Sequence, residues 1–328
     1  MSNNRAPILG RMTGAATVPQ ASAYAALTEG CALVDRSERG KLAFAGPEAA
    51  EFLDGQVTNA VAALAPGTGC YAALLTNKGK MLADMRLLRV DADTVLLDCE
   101  RPALQAVFDV LRRALVGWKA ELRKRTLQEA CLSLVGPRAR AVAGAEDLPA
   151  AEHAHRAAAI GGSQARVAVT DLGLDVLCAA EDADAVRAAL LAAGAVEVAE
   201  AAAEVVRVES GRPRHGVDLD ETVIPEEAGL NDRAVSFTKG CYVGQETVAR
   251  LHYKGRPNRH LRGLRLSAPA APGTPLRLGD REVGQLTSVA VSPRLGPIGL
   301  ALVRREAAPG TTLDAGDGVG AEVVELPF

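Results

Sequence analysis

Apolar and polar positions alternate, or apolar residues cluster in short runs, through much of the chain, which predicts many short strands. Strands are expected at Cys31–Asp35, Lys41–Ala45, Cys70–Thr76, Met81–Val90 and Thr94–Cys99. The last three form an antiparallel meander, joined by turns at Asn77-Lys78-Gly79-Lys80 and Asp91-Ala92-Asp93. Further strands are expected at Lys119–Thr126, Cys131–Val135, Val167–Thr170 and Leu174–Cys178. A period nearer 3.6 marks the helices. Pro19–Glu29 reads as one, and Gly46-Pro47 opens another through Leu53, with proline at the tolerated first position. Pro102 starts a third, with Leu104, Val107, Phe108, Leu111 and Leu115 on one stripe. Asp182–Ala193 and Ala201–Glu209 follow. Strands, helix and strands, repeated, predict an α+β fold rather than a doubly wound sheet.

After Pro257 the texture changes. Leu261–Leu266, Glu282–Val291, Ile298–Val303 and Ala321–Leu326 are short strands separated by Gly and Pro clusters. They predict a small all-β barrel or sandwich with its boundary at 256–260.

The length of 328 residues exceeds one typical core, so two or three domains are expected. A net charge of −3 excludes neither an anionic nor a cationic partner. The cysteines at 31, 70, 99, 131, 178 and 241 include no C-x-x-C. This argues against a disulfide framework, a zinc site or a locally ligated iron–sulfur cluster, and suits a reduced cytosol. Met1–Arg11 lacks the apolar core of a signal peptide, and no stretch of 18 apolar residues is present to span a membrane. A cytoplasmic protein without a membrane partner is expected.

The densest chemistry lies in Lys239-Gly240-Cys241-Tyr242-Val243-Gly244-Gln245-Glu246. A helix is expected after Gly244, ending near Lys254, with Gly255 and Pro257 as stop signals. Cys241 would then stand at or just before a helix N-terminus, close to the Lys239 ammonium. Both would favour thiolate, unless the thiol is simply a small buried hydrophobe. Gly240 and Gly244 would let backbone N–H groups approach an anion or a flat ring.

This run, followed by Ala249-Arg250, resembles the signature of the YgfZ-type folate-binding proteins. That family includes mitochondrial assembly factors for iron–sulfur proteins, and it resembles the aminomethyltransferase (T-protein) of the glycine cleavage system. Other blocks share the resemblance: Phe52-Leu53-Asp54-Gly55-Gln56-Val57-Thr58-Asn59, Asn77–Leu82, Arg207–Gly211 with Pro213, and Ile224-Pro225-Glu226-Glu227. It implies a three-domain ring of T-protein type around a folate-sized hole, closed by the small C-terminal barrel. The expected grouping is 1–50 with about 200–255 as a discontinuous first domain, 51–199 as a middle region and 256–328 as the barrel. It also implies tetrahydrofolate, or a one-carbon derivative, as ligand, with no metal.

Asp171, in Asp171-Leu172-Gly173-Leu174-Asp175, sits where the transferases carry the acid that holds the pterin ring. A carboxylate suits the adjacent donors of the pterin 2-amino and N3–H edge. Asp84 falls where the transferases carry paired aspartates, but the first of the pair is Ala83 here, which argues against full transferase chemistry. Arg207, alone in an apolar run, needs an anion, either a protein carboxylate or ligand. Asn59, Gln245 and Glu246 complete the candidate binding set, and Tyr242 offers a ring to stack on a pterin. Cys241 and Lys239 are the candidate reactive pair. His153-x-His155 resembles half a metal site, but no third ligand is near in sequence.

Two functions follow from the resemblance. One is a folate-binding accessory factor for iron–sulfur client proteins, including radical enzymes that modify transfer RNA. The other is a folate-dependent aminomethyltransferase acting on a lipoylated carrier. A third reading comes from charge: Lys239–Arg265 holds seven Lys or Arg and one acid, Glu246, and could make a weak RNA contact. RNA binding through this run would collapse between low and moderate salt and ignore folate, measurable by anisotropy with a labelled oligonucleotide.

Overall fold

The computed structural model describes residues 20–328. Pro19 and the Met1–Arg11 segment lie outside the described residues. Two sheets occupy residues 32–197. One carries, in spatial order, Thr68–Leu75, Met81–Arg89, Thr94–Cys99, Gly40–Ala45 and Glu121–Lys124. The other carries Val196–Glu197, Ala32–Asp35, Glu129–Val135, Gly173–Ala179, Ser163–Val169 and His155–Ile160. All pairings are antiparallel except that of Val196–Glu197 with Ala32–Asp35.

The five-stranded sheet is thus inserted into the six-stranded one. By strand pairing, 32–35 joins 129–197, whereas the sequence grouping joined 1–50 to 200–255 and kept 51–199 together. Alternation marks a strand and its faces but does not say which strand it pairs with. The 200–255 segment contributes the helices Glu200–Glu209, Asn231–Ala234 and Gln245–Lys254. The His155–Ile160 strand and the short Ala139–Val142 and Asn231–Ala234 helices were not expected.

Each sheet has its own helix-covered face. Ala49–Gln56 and Leu104–Ala114 bury Phe52, Leu53, Val107 and Leu111 against Phe44, Leu87 and Leu97. Ala183–Ala192 buries Val186 and Leu190 against Leu132, Leu134 and Val176. Each such side chain contributes roughly 1.5–3 kcal/mol, so most of the stabilisation lies within each layer pair.

The opposite faces meet each other. Period-2 alternation sends Ala83, Met85 and Leu87 to the helix side, and Asp84, Arg86 and Leu88 toward the second sheet. From that sheet, Cys131, Leu177 and Ala168 join Leu88 in a small apolar plug, while Ser133 and Asp175 line a polar cavity beside it.

The remaining strands close into an antiparallel barrel in the order Arg259–Leu266, Gly296–Arg304, Arg281–Ser292, Pro275–Leu278, Thr312–Asp314 and Gly320–Val324. Closure removes exposed edges. Pro275–Leu278 and Thr312–Asp314 are too short to show alternation in sequence. The barrel docks through Arg207, whose guanidinium reaches Asp218 at 2.8 Å, Glu204 at 2.5 Å and Ser288 Oγ at 2.5 Å. Arg207 therefore serves structure and is not a ligand contact, which corrects one reading of its burial.

Asp218 is fully buried and also accepts hydrogen bonds from Thr287, Ser288 and the Arg214 backbone. Arg207→Leu would leave this carboxylate without its cation, and a loss of about 3–5 kcal/mol is expected in urea unfolding. A loss below about 1 kcal/mol would show that the barrel is held by other contacts.

Candidate functional site

The Lys239–Glu246 run turns out to be a joint of the fold. Lys239 Nζ donates to the carbonyls of Val57 and Asn59, both at 3.0 Å, and to that of Asp54, and it lies 3.4 Å from Asp54 Oδ2. These carbonyls end the Ala49–Gln56 helix and the turn after it, groups that lack intrahelical partners. Burial pulls the Lys239 pKa below the ordinary lysine range, against the upward pull of Asp54. The ammonium faces the buried thiol of Cys70, which burial pushes up to about 12 despite that charge.

Cys241 is exposed, just ahead of the Gln245–Lys254 helix. The helix begins directly after Gly244, as expected, whereas the Lys239 ammonium is committed to backbone carbonyls. Tyr242 is not free to stack on a ligand. It packs with Leu75, Met81, Leu230 and Val248, and burial pushes its hydroxyl up to about 12.

Gly244 (φ +83°) and Gly79 (φ +74°) bring the Asn77–Lys80 turn against the helix. A Cβ at Gly244 would lie 2.5 Å from Thr76 O, and one at Gly79 would lie 2.8 Å from Thr247 Cβ. Gly244 accommodates the Thr76 carbonyl and Gly79 the Thr247 side chain. Glu246 is exposed in the first helical turn, where an acid complements the helix dipole, and Gln245 is half-buried beside it. Asn59 Nδ2 donates to Tyr71 O at 2.9 Å and Arg233 O at 3.2 Å, so it positions two neighbours of the cavity described next.

That cavity, about 170 Å³, lies between the sheets and brings Asp84 and Asp171 together. It is also lined by Arg36, Arg39, Tyr71, Arg86, His153 and Arg233. The Tyr71 hydroxyl donates to Asp84 Oδ2, while Asp84 Oδ1 is buried without a hydrogen-bond partner. His215 Nδ1, equally unpartnered, stands 3.9 Å from that oxygen. Burial raises the Asp84 pKa, and the Tyr71 hydrogen bond and His215 only partly oppose it. Asp171 receives a 2.6 Å hydrogen bond from Arg212 Nε and lies 3.9 Å from Arg233. Arg233 itself reaches Glu152 at 2.5 Å and sits 5.1 Å from the Tyr71 ring centroid.

A buried ion network forms the cavity wall. Arg86 bridges the sheets, with Nη2 at 2.5 Å from Asp98 and Nη1 at 2.8 Å from Asp175. Arg39 adds a second cation to Asp98 at 2.8 Å, and Ser133 Oγ donates to Asp175 at 2.6 Å. Burial pushes the Asp98 carboxyl up, but Arg86 and Arg39 more than reverse this and hold it well below the carboxylate range.

Sequence reasoning missed Tyr71, Arg86 and Arg233, and noticed His153 only as part of a His-x-His pair. The alternation in Met81–Arg89 was the available signal for Arg86. A larger cavity, about 590 Å³, lies between residues 217–227 and the barrel. Two of its carboxylates are already paired, Glu227 with Arg259 and Asp218 with Arg207, whereas the smaller cavity joins Asp171 to Asp84, whose Oδ1 is buried and unpartnered, so the smaller cavity is the stronger candidate.

Among the described residues, no group of three or more His, Cys, Asp or Glu is placed to hold a metal ion. His155 instead contacts Thr68 O at 3.1 Å and Arg166 at 2.8 Å. No helix among them is long and apolar enough to cross a membrane. The basic run is divided: Lys239, Arg259 and Arg262 have protein partners, while Arg250, Lys254 and Arg256 are exposed near the Phe237–His252–Tyr253 aromatic stack.

Two α+β layers inserted one into the other, a terminal six-stranded barrel and a polar cavity between the sheets define the aminomethyltransferase T-protein fold. The chain belongs to the glycine cleavage T-protein family: residues 16–239 match the GCVT N-terminal domain, and residues 259–328 match the glycine cleavage T-protein C-terminal barrel domain. It is 30% identical to a putative chloroplastic transferase of Arabidopsis thaliana, over 92% of this chain and 72% of that protein. It is equally similar, at 30%, to an aminomethyltransferase of Streptomyces coelicolor, over 90% of this chain and 86% of that one. The glycine cleavage system aminomethyltransferase T from Bartonella henselae shares its fold, with a TM-score of 0.83 at 24% identity, over 95% of this chain and 90% of that one.

The buried titratable groups set a pH dependence. His153 and His155 are depressed to about 4, first by burial, so their contribution is present above about 6.5 and is lost as pH falls toward 4. Asp98, also depressed, contributes above about 3.9 and loses that contribution further into acid. Urea midpoints should therefore fall in two stages on acidification. Asp98→Asn should flatten the second stage and leave the first in place.

Proposed function

We propose that this protein is a tetrahydrofolate-binding accessory factor of YgfZ type, supporting iron–sulfur cluster assembly or repair in client enzymes. The cavity between the sheets carries the folate part of this reading. Its volume of about 170 Å³ is below the roughly 300–1,000 Å³ of sites that enclose drug-sized ligands. It suits a single heteroaromatic head with the rest of the molecule outside. The free Asp84 oxygen, the Asp171 carboxylate and the Tyr71 ring are the groups a reduced pterin uses: acceptors for its amino and N–H edge, and an aromatic wall. Asp171 would share its charge between the ligand and Arg212. When bound, the folate would supply one-carbon chemistry, while this chain holds, orients and partly dries the ring.

The accessory role, with iron–sulfur clients that include radical enzymes modifying transfer RNA, is supported by the likeness of Lys239–Glu246 to the YgfZ signature. Cys241 fits it as an exposed thiol outside the cavity, available to a client surface. The alternative, a folate-dependent aminomethyltransferase, is favoured by the named relatives. The Ala83 argument against it weakens, because this side chain is buried in the helix-side core, on the face opposite Asp84. A carboxylate there would not enter the cavity without rearrangement of the strand.

Calorimetry with tetrahydrofolate tests the site. Asp171→Ala should weaken binding by about 1–3 kcal/mol, the scale of a lost charged hydrogen bond. Cys241→Ala should bind as wild type does. Equal affinity of Asp171→Ala and wild type would remove Asp171 from the site. Robust ammonia release in a glycine-cleavage assay with lipoylated carrier would replace the accessory reading with the transferase one.

A further inference from the structure

We infer that His153 is a specificity-determining ligand contact of the cavity between the sheets, kept for the ligand and not for the fold. This deepens the folate reading and rests on it for the identity of the ligand. The backbone argument comes first. His153 has φ +68°, a left-handed conformation that residues with a Cβ rarely adopt. It is held there from both sides: its N–H donates to Val169 O at 2.9 Å, and the Val169 N–H donates to Ala154 O at 2.9 Å. Gly69 on the facing strand is close as well: a Cβ there would lie 2.9 Å from His153 Cβ, besides meeting Leu87 O at 2.5 Å and Leu88 Cδ2 at 2.8 Å.

The side chain gains little from that accommodation. Both ring nitrogens are buried without a hydrogen-bond partner. The nearest carboxylate, Glu152, is 3.5 Å from Nε2 and is already engaged by Arg233 at 2.5 Å. Buried polar atoms without partners are costly, and folds retain few of them. Here the imidazole lines the same cavity as Asp84, whose Oδ1 is also buried and unpartnered. Burial, reinforced by Arg86, depresses the His153 pKa to about 4, so the ring is neutral at neutral pH. A neutral imidazole presents one donor and one acceptor, whereas Asp84 and Asp171 present acceptors alone. The arginines of the cavity are already engaged by the protein's own carboxylates, so His153 adds an uncommitted neutral donor for a ring nitrogen or carbonyl oxygen of a heteroaromatic ligand. A pterin carries such acceptors next to its amino and N–H donors.

The test compares wild type, His153→Gly and His153→Asn by thermal unfolding and by calorimetry with tetrahydrofolate. Glycine relieves the left-handed backbone, and asparagine tolerates it while keeping a donor and an acceptor. The expected result is a Tm for His153→Gly at or above wild type, with tetrahydrofolate affinity at least tenfold weaker. His153→Asn should recover part of that loss. Unchanged affinity in His153→Gly, with wild type binding folate, overturns the role of His153 and leaves the folate reading intact. A lowered Tm in His153→Gly also overturns it, since the imidazole would then be holding the fold. Absence of tetrahydrofolate binding by wild type overturns the folate reading, while an undiminished Tm in His153→Gly would still support a residue kept for another heteroaromatic ligand.

Discussion

The Arg86 guanidinium is the constraint on which the central architecture depends. It projects from the five-stranded sheet and is gripped by Asp98 of its own sheet and Asp175 of the other. Apolar contact between the two sheets is confined to a plug around Leu88, Cys131, Ala168 and Leu177, with Leu96 packed against it. Each sheet already has a full core against its own helices, so the face between them need not be apolar throughout. Buried ion pairs contribute little net stability compared with hydrophobic packing, but they penalise any other register. A one-residue slip of Met81–Arg89 would send Arg86 into the helix-side core and Met85 into the ion network. The network thus fixes the relation of the sheets, and with it the cavity whose wall it forms.

Much of the layout was legible in the sequence, because local alternation reports strands directly. The meander from residue 68 to 99, the Leu104–Ala114 helix and the barrel onset near residue 259 follow from periodicity and turn residues alone. Pairing was not legible. Nothing local reveals that Ala32–Asp35 pairs with Glu129–Val135 across an inserted sheet. Two barrel strands were too short to carry a pattern.

The site was legible only in part, and for a physical reason. A dense polar run such as Lys239–Glu246 looks the same in sequence whether its groups await a ligand or satisfy the protein's own carbonyls. Lys239 does the latter, Tyr242 is core, and Gly244 admits the Thr76 carbonyl. Asp84 and Asp171 do reach a common cavity, and they were found through family likeness rather than spacing. Tyr71 and Arg233 carry no local mark, since their roles arise from pairing and from Asn59, which anchors both backbones. His153 was legible only as a histidine near another histidine; its left-handed backbone and missing partners belong to the folded state.

The contact between Gly79 and the Gly244–Thr247 segment bears on how chains of this kind are grouped. Two of the sequence blocks that carry the family resemblance meet at one seam, where a side chain on either glycine would be both crowded and strained. A likeness carried by those blocks therefore reports how the molecule is assembled. Sorting such chains by chemistry calls for other positions, among them the exposed thiol and the groups facing the space between the sheets.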